Sequence, residues 1–545
     1  MNPKGPRSAP TPAEAIGYGT SLLNRVLFGV PDAESRITHV TELPARPARI
    51  TDWPSWAAPE VVDALRESGV EAPWTHQIRT AELAASGTHV VVCTGTASGK
   101  SLGYQLPVLT DLRRDPRATA LYISPTKALG ADQFRAAAQL THAGGLRDIH
   151  PATYDGDTPP EVRQWGRANA RWLFTNPDML HIGILRAHQR WARMLRRLRY
   201  VVVDECHAYR GVFGSQVAMV LRRLRRLATH YGANPTFVLC SATSADPAAA
   251  AARLIGAPVT AVTEDGSPQG ARTVALWEPP LLGDLSGENG APVRRAATTE
   301  AARIMTDLVV EGARTLTFVR SRRAAEVVAI DVQRMLAEVD PALAGRVAAY
   351  RAGYLAEDRR ELENGLADGS LLGAATTTAL ELGVDIAGLD AVVMAGFPGT
   401  VASFWQQAGR AGRRTQGSLV LLVARDDPLD TYLVHHPHAL LDKPVEATIT
   451  DPHNPYVAGP HLLCAACEHP LTDAEIDDLG VRDVAADLAA HIHVVVWVGA
   501  RRRIPASLTP AVLPALDQAL RGKIGGHVPD AEVVDLGVGQ GVFAG

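Results

Sequence analysis

Short, β-branched apolar runs separated by stretches of helical spacing recur along the chain. Residues 89–93, 118–124, 170–175, 200–203 and 236–239 read as one set of strands, and 315–319, 346–350, 373–376, 391–394 and 418–422 as a second. These runs are nearly continuous in apolar residues, the pattern of strands covered on both faces, and helical stretches fall between them. The expected class is therefore α/β, with parallel sheets sandwiched by helices. Between the two sets, residues 264–299 turn to Gly, Pro and Glu and periodicity lapses. They read as a linker or surface loop, with RTVALW (272–277) as the first strand of the second set. Short helices are expected around 13–28 and within 51–69, and residues 429–487 read as mostly helical.

At 545 residues the chain is too long for one core. The pattern divides it into a lead-in (1–50), a first domain (51–268), a second (269–427), a helical region (428–490) and a tail (491–545). The first fifteen residues are rich in Pro and lack the apolar core of a signal peptide, so a disordered start is expected. No apolar run approaches the roughly 18 residues of a membrane span, so no membrane partner is expected and the cytoplasm is the expected compartment. Five cysteines in such a length do not make a disulfide framework, and reduced thiols are expected. A formal charge of −4 argues against coating of nucleic acid by bulk charge but leaves room for a basic groove.

The chemistry concentrates where strands end, which is where open α/β sheets hold ligands. The run 89–93 leads into Thr94, Gly95, Thr96, Ala97, Ser98, Gly99, Lys100 and Ser101, small residues that let the backbone curl its N–H groups inward around an anion. Lys100 would reach the β- and γ-phosphates of ATP and Ser101 would be a ligand of Mg²⁺; the strict motif has Gly where this chain has Thr94. Upstream, Trp74 can stack on adenine and Gln77 can read its edge, or the pair can simply begin a helix. After the run 200–203 come Asp204 and Glu205, assigned to the metal and to the general base. The second domain has no cradle. It has Gln406 and then Arg410 and Arg413, three apart on one face of an expected helix, whose guanidinium groups can fork onto phosphate. A site split between two domains is implied.

In order, WTHQ, TGTASGKS, PTKALG, TNPDML, DECH, SAT, FVRSRR, YRAGY, TTTALELGVDI and QQAGRAGR resemble the motifs of superfamily-two helicases of the DEAD/DEAH-box type, over roughly residues 53–427. DECHAYRGVFGSQV and LELGVDIAGLDAVV are most similar to the YprA-like and large-helicase-related branch. The resemblance implies two tandem RecA-like P-loop domains and a small, mostly helical C-terminal region containing a winged-helix-like element. It implies ATP-driven translocation, 3′ to 5′, on single-stranded or tailed duplex DNA, in DNA repair. Carried over by motif, Gly383 and Asp385 would contact the nucleotide, and Gln406, Arg410 and Arg413 would close on the γ-phosphate. His207, Ser241 and Thr243 would couple hydrolysis to movement, while Thr126, Lys127, Thr175, Asn176, Arg320, Arg351 and Thr377 would face the nucleic-acid backbone. Such contacts grip phosphate without reading sequence. RNA therefore stays an alternative substrate, and a clamp that hydrolyses ATP without unwinding an alternative function; protein partners are not legible. Thr94, Thr376 and Cys206 depart from the commonest family residues without removing a reacting group.

His461, Cys464, Cys467 and His469 offer a zinc half-site, but LLCAAC has the spacing of a packed helix and no second cysteine pair follows, so zinc is not expected. The branch continues into a β-rich region and a four-cysteine module. Residues 491–545 match neither, and a truncation or change of reading frame is the expectation for this tail.

Overall fold

The computed structural model describes residues 17–492 except 243, 287–291, 352, 382–387 and 413–415. In chain order the strands are β1 (Ile37–Leu43), β2 (Val90–Cys93), β3 (Thr119–Ile123), β4 (Pro151–Tyr154), β5 (Trp172–Thr175), β6 (Leu198–Val203), β7 (Thr236–Ser241) and β8 (Thr260–Val262). They continue with β9 (Arg272–Trp277), β10 (Leu281–Ser286), β11 (Pro292–Arg294), β12 (Thr315–Phe318), β13 (Val347–Tyr350), β14 (Gly373–Thr376), β15 (Ala391–Ala395) and β16 (Ser418–Val423). The first sheet, in the order β4-β5-β3-β6-β7-β2-β8, is wholly parallel.

Alternate residues of its buried strands serve two cores. Val90, Val92, Tyr122, Val202 and Val238 face one helical layer, whereas Val91, Leu121, Val201, Val203 and Leu239 face the other. This two-sided burial explains why the runs carry no polar alternation. The second sheet, β1-β9-β16-β15-β12-β14-β13, repeats the plan, with Leu316, Val392 and Val420 on one side and Val393, Leu419 and Leu421 on the other.

Residues 18–43, expected as lead-in, are part of the second sheet. Helix Tyr18–Leu27 buries Leu22, Leu23 and Val26 in one of its cores, and β1 pairs antiparallel with β9, Val40 opposite Ala275. The apolar stripe of that helix was legible; its partner, more than 200 residues away, was not. RTVALW is β9, completely buried, and the linker around it also holds the β10–β11 hairpin.

The described residues beyond 427 form five helices and no strand, so no wing is present among them. Helix Pro455–Glu468 packs on the first domain against helix Gly211–His230. Arg223 of the latter, 1% exposed, pairs with Glu468 and donates to His181 Nδ1 at 3.0 Å and His461 Nδ1 at 2.9 Å. Arg226 adds Glu475 at 2.7 Å. Cys464 is buried on this helix and Cys467 exposed, both free thiols. Among the described residues no helix is long and apolar enough to cross a membrane.

Leu23 is 3% exposed, so Leu23→Ala is expected to lower unfolding free energy by about 2–4 kcal/mol, measured by urea denaturation. A loss below about 0.5 kcal/mol, the size of a surface substitution, would detach this helix from the core.

Candidate active site

The loop after β2 has the curl its small residues suggested. Ala97 (φ 60°) and Gly99 (φ 65°) take left-handed backbone, and Thr94 Oγ1 meets Ser98 Oγ at 2.6 Å, so the residue that departs from the strict motif braces the loop internally. Lys100 folds back, donating to the carbonyl oxygens of Gly95 (2.9 Å) and Thr94 (3.3 Å). Ser101 begins a helix, Ser101–Arg114, whose N-terminal end adds its dipole to the loop. The Ser101 hydroxyl donates to Gln133 Oε1 at 3.3 Å, and Tyr104 shares that acceptor at 2.7 Å. Its lone pairs are thereby left for a cation. Gln133 was not foreseen: it sits on helix Lys127–Ala143, and only that helix's path brings it here.

Gln77 serves the loop. Its Oε1 accepts the Trp74 N–H at 2.8 Å and its Nε2 donates to the Gly99 carbonyl at 2.8 Å. Each end of the amide retains one further hydrogen-bonding valence. Trp74 and Gln77 line a cleft of about 920 Å³ with Gly99, Ser101 and Leu102.

Asp204 and Glu205 follow β6. Asp204 is buried, accepts the Glu205 N–H at 2.9 Å and takes the Tyr122 hydroxyl; burial, then the charge of Glu205, raise its carboxyl above the ordinary range. Glu205 holds a left-handed backbone (φ 46°), strain that a non-glycine residue carries only where its surroundings impose it. His207 Nδ1 accepts the Ala242 N–H at 3.1 Å, so the ring proton is on Nε2, and burial holds the ring pKa down to about 4. Glu205 Oε2 lies 3.3 Å from Nδ1, but a nitrogen that is already an acceptor carries no proton, and the contact is no ion pair. Glu205 Oε2 and His207 Nε2 are both buried without a hydrogen-bond partner among the described residues. Buried orphan polar atoms imply a missing ligand or water. Ser241 ends β7, buried beside them; Thr243 lies outside the described residues.

The second domain closes over this loop. A cleft of about 930 Å³ is lined by Thr94 to Ala97 on one side and Gln406, Gly409 and Gly412 on the other. The domains touch there: a Cβ on Gly409 would lie 3.0 Å from Thr96 Oγ1. Arg410 departs from expectation. Helix Val401–Ala408 ends before it, because the glycines that interrupt QQAGRAGR end the helix. Arg410 is instead 5% exposed and donates to the Glu381 carbonyl at 2.8 Å, while Gln407 binds the Glu381 carboxylate at 2.9 Å. Gly383, Asp385 and Arg413 lie outside the described residues. Glu446 accepts the Val401 N–H at 2.7 Å, capping the helix that carries Gln406, a role its isolated position in sequence did not advertise.

The expected nucleic-acid residues follow the carboxyl ends of other strands. Exposed Thr126 and Lys127 follow β3, the latter paired with Asp157 at 2.7 Å, and Asn176 caps the turn after β5. Arg320 follows β12, Arg351 follows β13 and is paired with Glu326 at 2.7 Å, and Thr377 follows β14. Thr175 is set apart: it is 3% exposed and donates its hydroxyl to the Tyr154 carbonyl at 2.7 Å, which removes it from the surface.

Residues 74–251 match the DEAD/DEAH box helicase family and residues 300–415 the helicase conserved C-terminal domain. The ATP-dependent helicase YprA of Bacillus subtilis is 40% identical over 444 residues, 81% of this chain and 58% of the relative. ATP-dependent helicase HRQ1 of Saccharomyces cerevisiae is 41% identical over 446 residues, 80% of this chain and 41% of the relative. The crystal structure of the DUF1998 helicase MrfA bound to DNA and AMPPNP matches with a TM-score of 0.81 at 37% identity, over 90% of this chain and 67% of that one. The chain belongs to the DEAD/DEAH-box helicases. Within superfamily two it falls in the YprA-like branch, with the family's two RecA-like domains formed by the two sheets. It spans little more than half the length of YprA and less than half that of HRQ1.

The contact of Gly409 with Thr96 makes Gly409→Val a probe of domain closure. Its isopropyl group is expected to hold the helicase domains apart, lowering ATP turnover about tenfold or more with ATP affinity little changed, read from kcat and a nucleotide-binding titration. Wild-type kcat would mean that this contact is not made in the working cycle.

Proposed function

We propose that this chain is the motor of an ATP-dependent helicase that moves along DNA. The observation that carries the reading is the pair of buried atoms, Glu205 Oε2 and His207 Nε2, without a hydrogen-bond partner among the described residues, beside a loop of phosphate-binding type that the second domain covers. ATP lies with its phosphates on the N–H groups of residues 95–101, and Lys100 exchanges the Thr94 and Gly95 carbonyls for the β- and γ-phosphates. Adenine enters the cleft beside Trp74, where the spare valences of Gln77 face its edge. Ser101 and Asp204 are hard oxygen donors of the kind Mg²⁺ takes, and the ion when bound neutralises charge on the phosphates. Glu205 accepts the proton of the attacking water, and His207, Ser241 and Thr243 pass the change to the neighbouring strands. Gly383 and Asp385 complete the nucleotide contacts from the second domain. Gln406 and Arg413 close on the γ-phosphate, and Arg410 holds the turn that presents them.

The nucleic-acid strand lies along the carboxyl ends of β3, β5, β12, β13 and β14, where Thr126, Lys127, Asn176, Arg320, Arg351 and Thr377 grip its phosphates. Opening and closing of the cleft alternates the two grips. DNA is favoured over RNA because MrfA, solved bound to DNA, covers most of this chain. Movement from 3′ to 5′, a role in DNA repair and a cytoplasmic location complete the proposal.

Lys100→Ala and Glu205→Gln are each expected to lower ATP turnover by about a thousandfold. Strand displacement on 3′- and 5′-tailed DNA and RNA duplexes, with ATPase followed in parallel, tests the rest. Unwinding of 3′-tailed DNA is the expected result. Preference for RNA duplexes would reassign the substrate, and hydrolysis without displacement would make the protein a clamp.

A further inference from the structure

The chain passes between the two domains at residues 44–50 and returns at 263–271, and the two passages are bonded to each other. Arg46 N–H donates to the Gln269 carbonyl at 2.8 Å, Gln269 N–H donates back at 2.9 Å, and Arg49 N–H donates to the Gly266 carbonyl at 2.8 Å. Arg46 also pairs with Asp265 at 2.7 Å, and Asp265 accepts the N–H (2.9 Å) and hydroxyl (2.7 Å) of Ser267. Any change in the angle between the domains has to be absorbed in this ribbon and in the later passage near 443–451.

The ribbon is seated on the start of helix Thr75–Ala85. Thr75 N–H donates to the Arg49 carbonyl at 2.9 Å, and a Cβ on Gly266 would lie 2.4 Å from Thr75 Oγ1, so only glycine approaches this closely. His76, whose side chain is 0% exposed, stands between the ribbon and the phosphate loop. Its Nδ1 accepts the Gly266 N–H at 3.1 Å, which puts the ring proton on Nε2, and Nε2 donates to the Ser98 carbonyl at 2.9 Å. Burial lowers the ring pKa and keeps it neutral, the state with one donor and one acceptor. Asp265 stands close to the same loop: its Oδ2 would lie 3.4 Å from a Cβ on Gly95. An imidazole bonded at both nitrogens is a rigid strut. Rotation of the peptide before Gly266 must either break its bond to His76 or carry the ring, and with the ring the Ser98 carbonyl.

We propose that His76 is a positioning residue that relays the pose of the interdomain ribbon to the phosphate loop, so that closing of the domains on a nucleic-acid strand sets the loop for hydrolysis. The relay rests on the reading of the cleft as an ATP-driven motor. It adds a path between the domains besides the direct contact of Gly409 with Thr96. Both ends of the strut are required, because a ring held at one nitrogen swings free of the other.

The test is steady-state ATPase of the full chain, with and without a single-stranded DNA oligonucleotide, for His76→Gln and His76→Asn. Glutamine supplies an N–H near the place of Nε2 and can keep the Ser98 bond; asparagine supplies an oxygen near the place of Nδ1 and can keep the Gly266 bond. Each variant is expected to lose about tenfold in the ratio of strand-stimulated to basal turnover, the scale of effect that a small misplacement of a phosphate cradle produces. A wild-type ratio in either variant overturns the relay. Hydrogen exchange on the unmodified protein gives a second readout free of any folding defect. Magnesium and AMPPNP are expected to raise protection in residues 95–101 and 264–269 together, and protection confined to 95–101 overturns the proposal. Lys100→Ala in the same ATPase separates the two levels. Wild-type turnover there removes the motor reading itself, whereas an inactive Lys100→Ala beside fully stimulated His76 variants removes the relay alone.

Discussion

Thr96 of the first domain and Gly409 of the second approach so closely that a Cβ on Gly409 would lie 3.0 Å from the Thr96 side chain. A phosphate loop alone is a binding site, since its N–H groups and one lysine offset charge but do nothing to the bond that breaks. Placing Gln406 and its turn over that loop turns the site into one whose completeness depends on the angle between domains. Glu205 fits the same scheme. Its strained backbone holds a carboxylate oxygen, buried and without a hydrogen-bond partner among the described residues, at the end of a central strand of the sheet. In the proposed cycle the first domain is prepared in advance, and the second decides when the preparation is used.

The path of the chain reinforces this division. From residue 18 it runs in the second domain, crosses to the first at residues 44–50, returns at 263–271, and crosses again near 443–451 to lay the helices that follow on the first domain. On that last passage Glu446 caps the helix carrying Gln406, and a few residues later the Ile449 carbonyl accepts the Gly211 N–H at 2.8 Å. The buried cluster of Arg223, Glu468, His181 and His461 then binds the helical region to the first domain. A buried charged cluster of this kind is a weak source of stability but a demanding one geometrically, since removing Arg223 or Glu468 leaves the other's charge unpaired. The helical region is therefore anchored to the first domain.

Much of this was legible in sequence because buried parallel strands announce themselves. The runs at 90–93, 201–203 and 237–239 have no polar residue to place, and the cradle, Asp204 and Glu205 follow the first two directly. What was not legible depends on contacts across long separations. Residues 18–43 carry an amphipathic signal with no indication of which sheet receives it. Arg410 looked like a partner of Arg413 on a helix, but the helix ends at Ala408 with Gly409 at its cap, and the Arg410 guanidinium turns toward the Glu381 carbonyl. Thr175 fits a motif position by order alone, while β5 directs its side chain inward. Gln133 and His76 belong to helices with other evident purposes, and only the packing of those helices brings them to the loop.

The central claim is that the nucleotide site becomes competent for hydrolysis only when both domains contribute to it. A crystal structure of this protein with magnesium, AMPPNP and a single-stranded DNA oligonucleotide tests it most directly. The account expects the triphosphate on residues 95–101 with Gln406 and Arg413 within hydrogen-bonding distance of its γ-phosphate. A γ-phosphate held by the first domain alone, with the second domain turned away while the strand is bound, would contradict it.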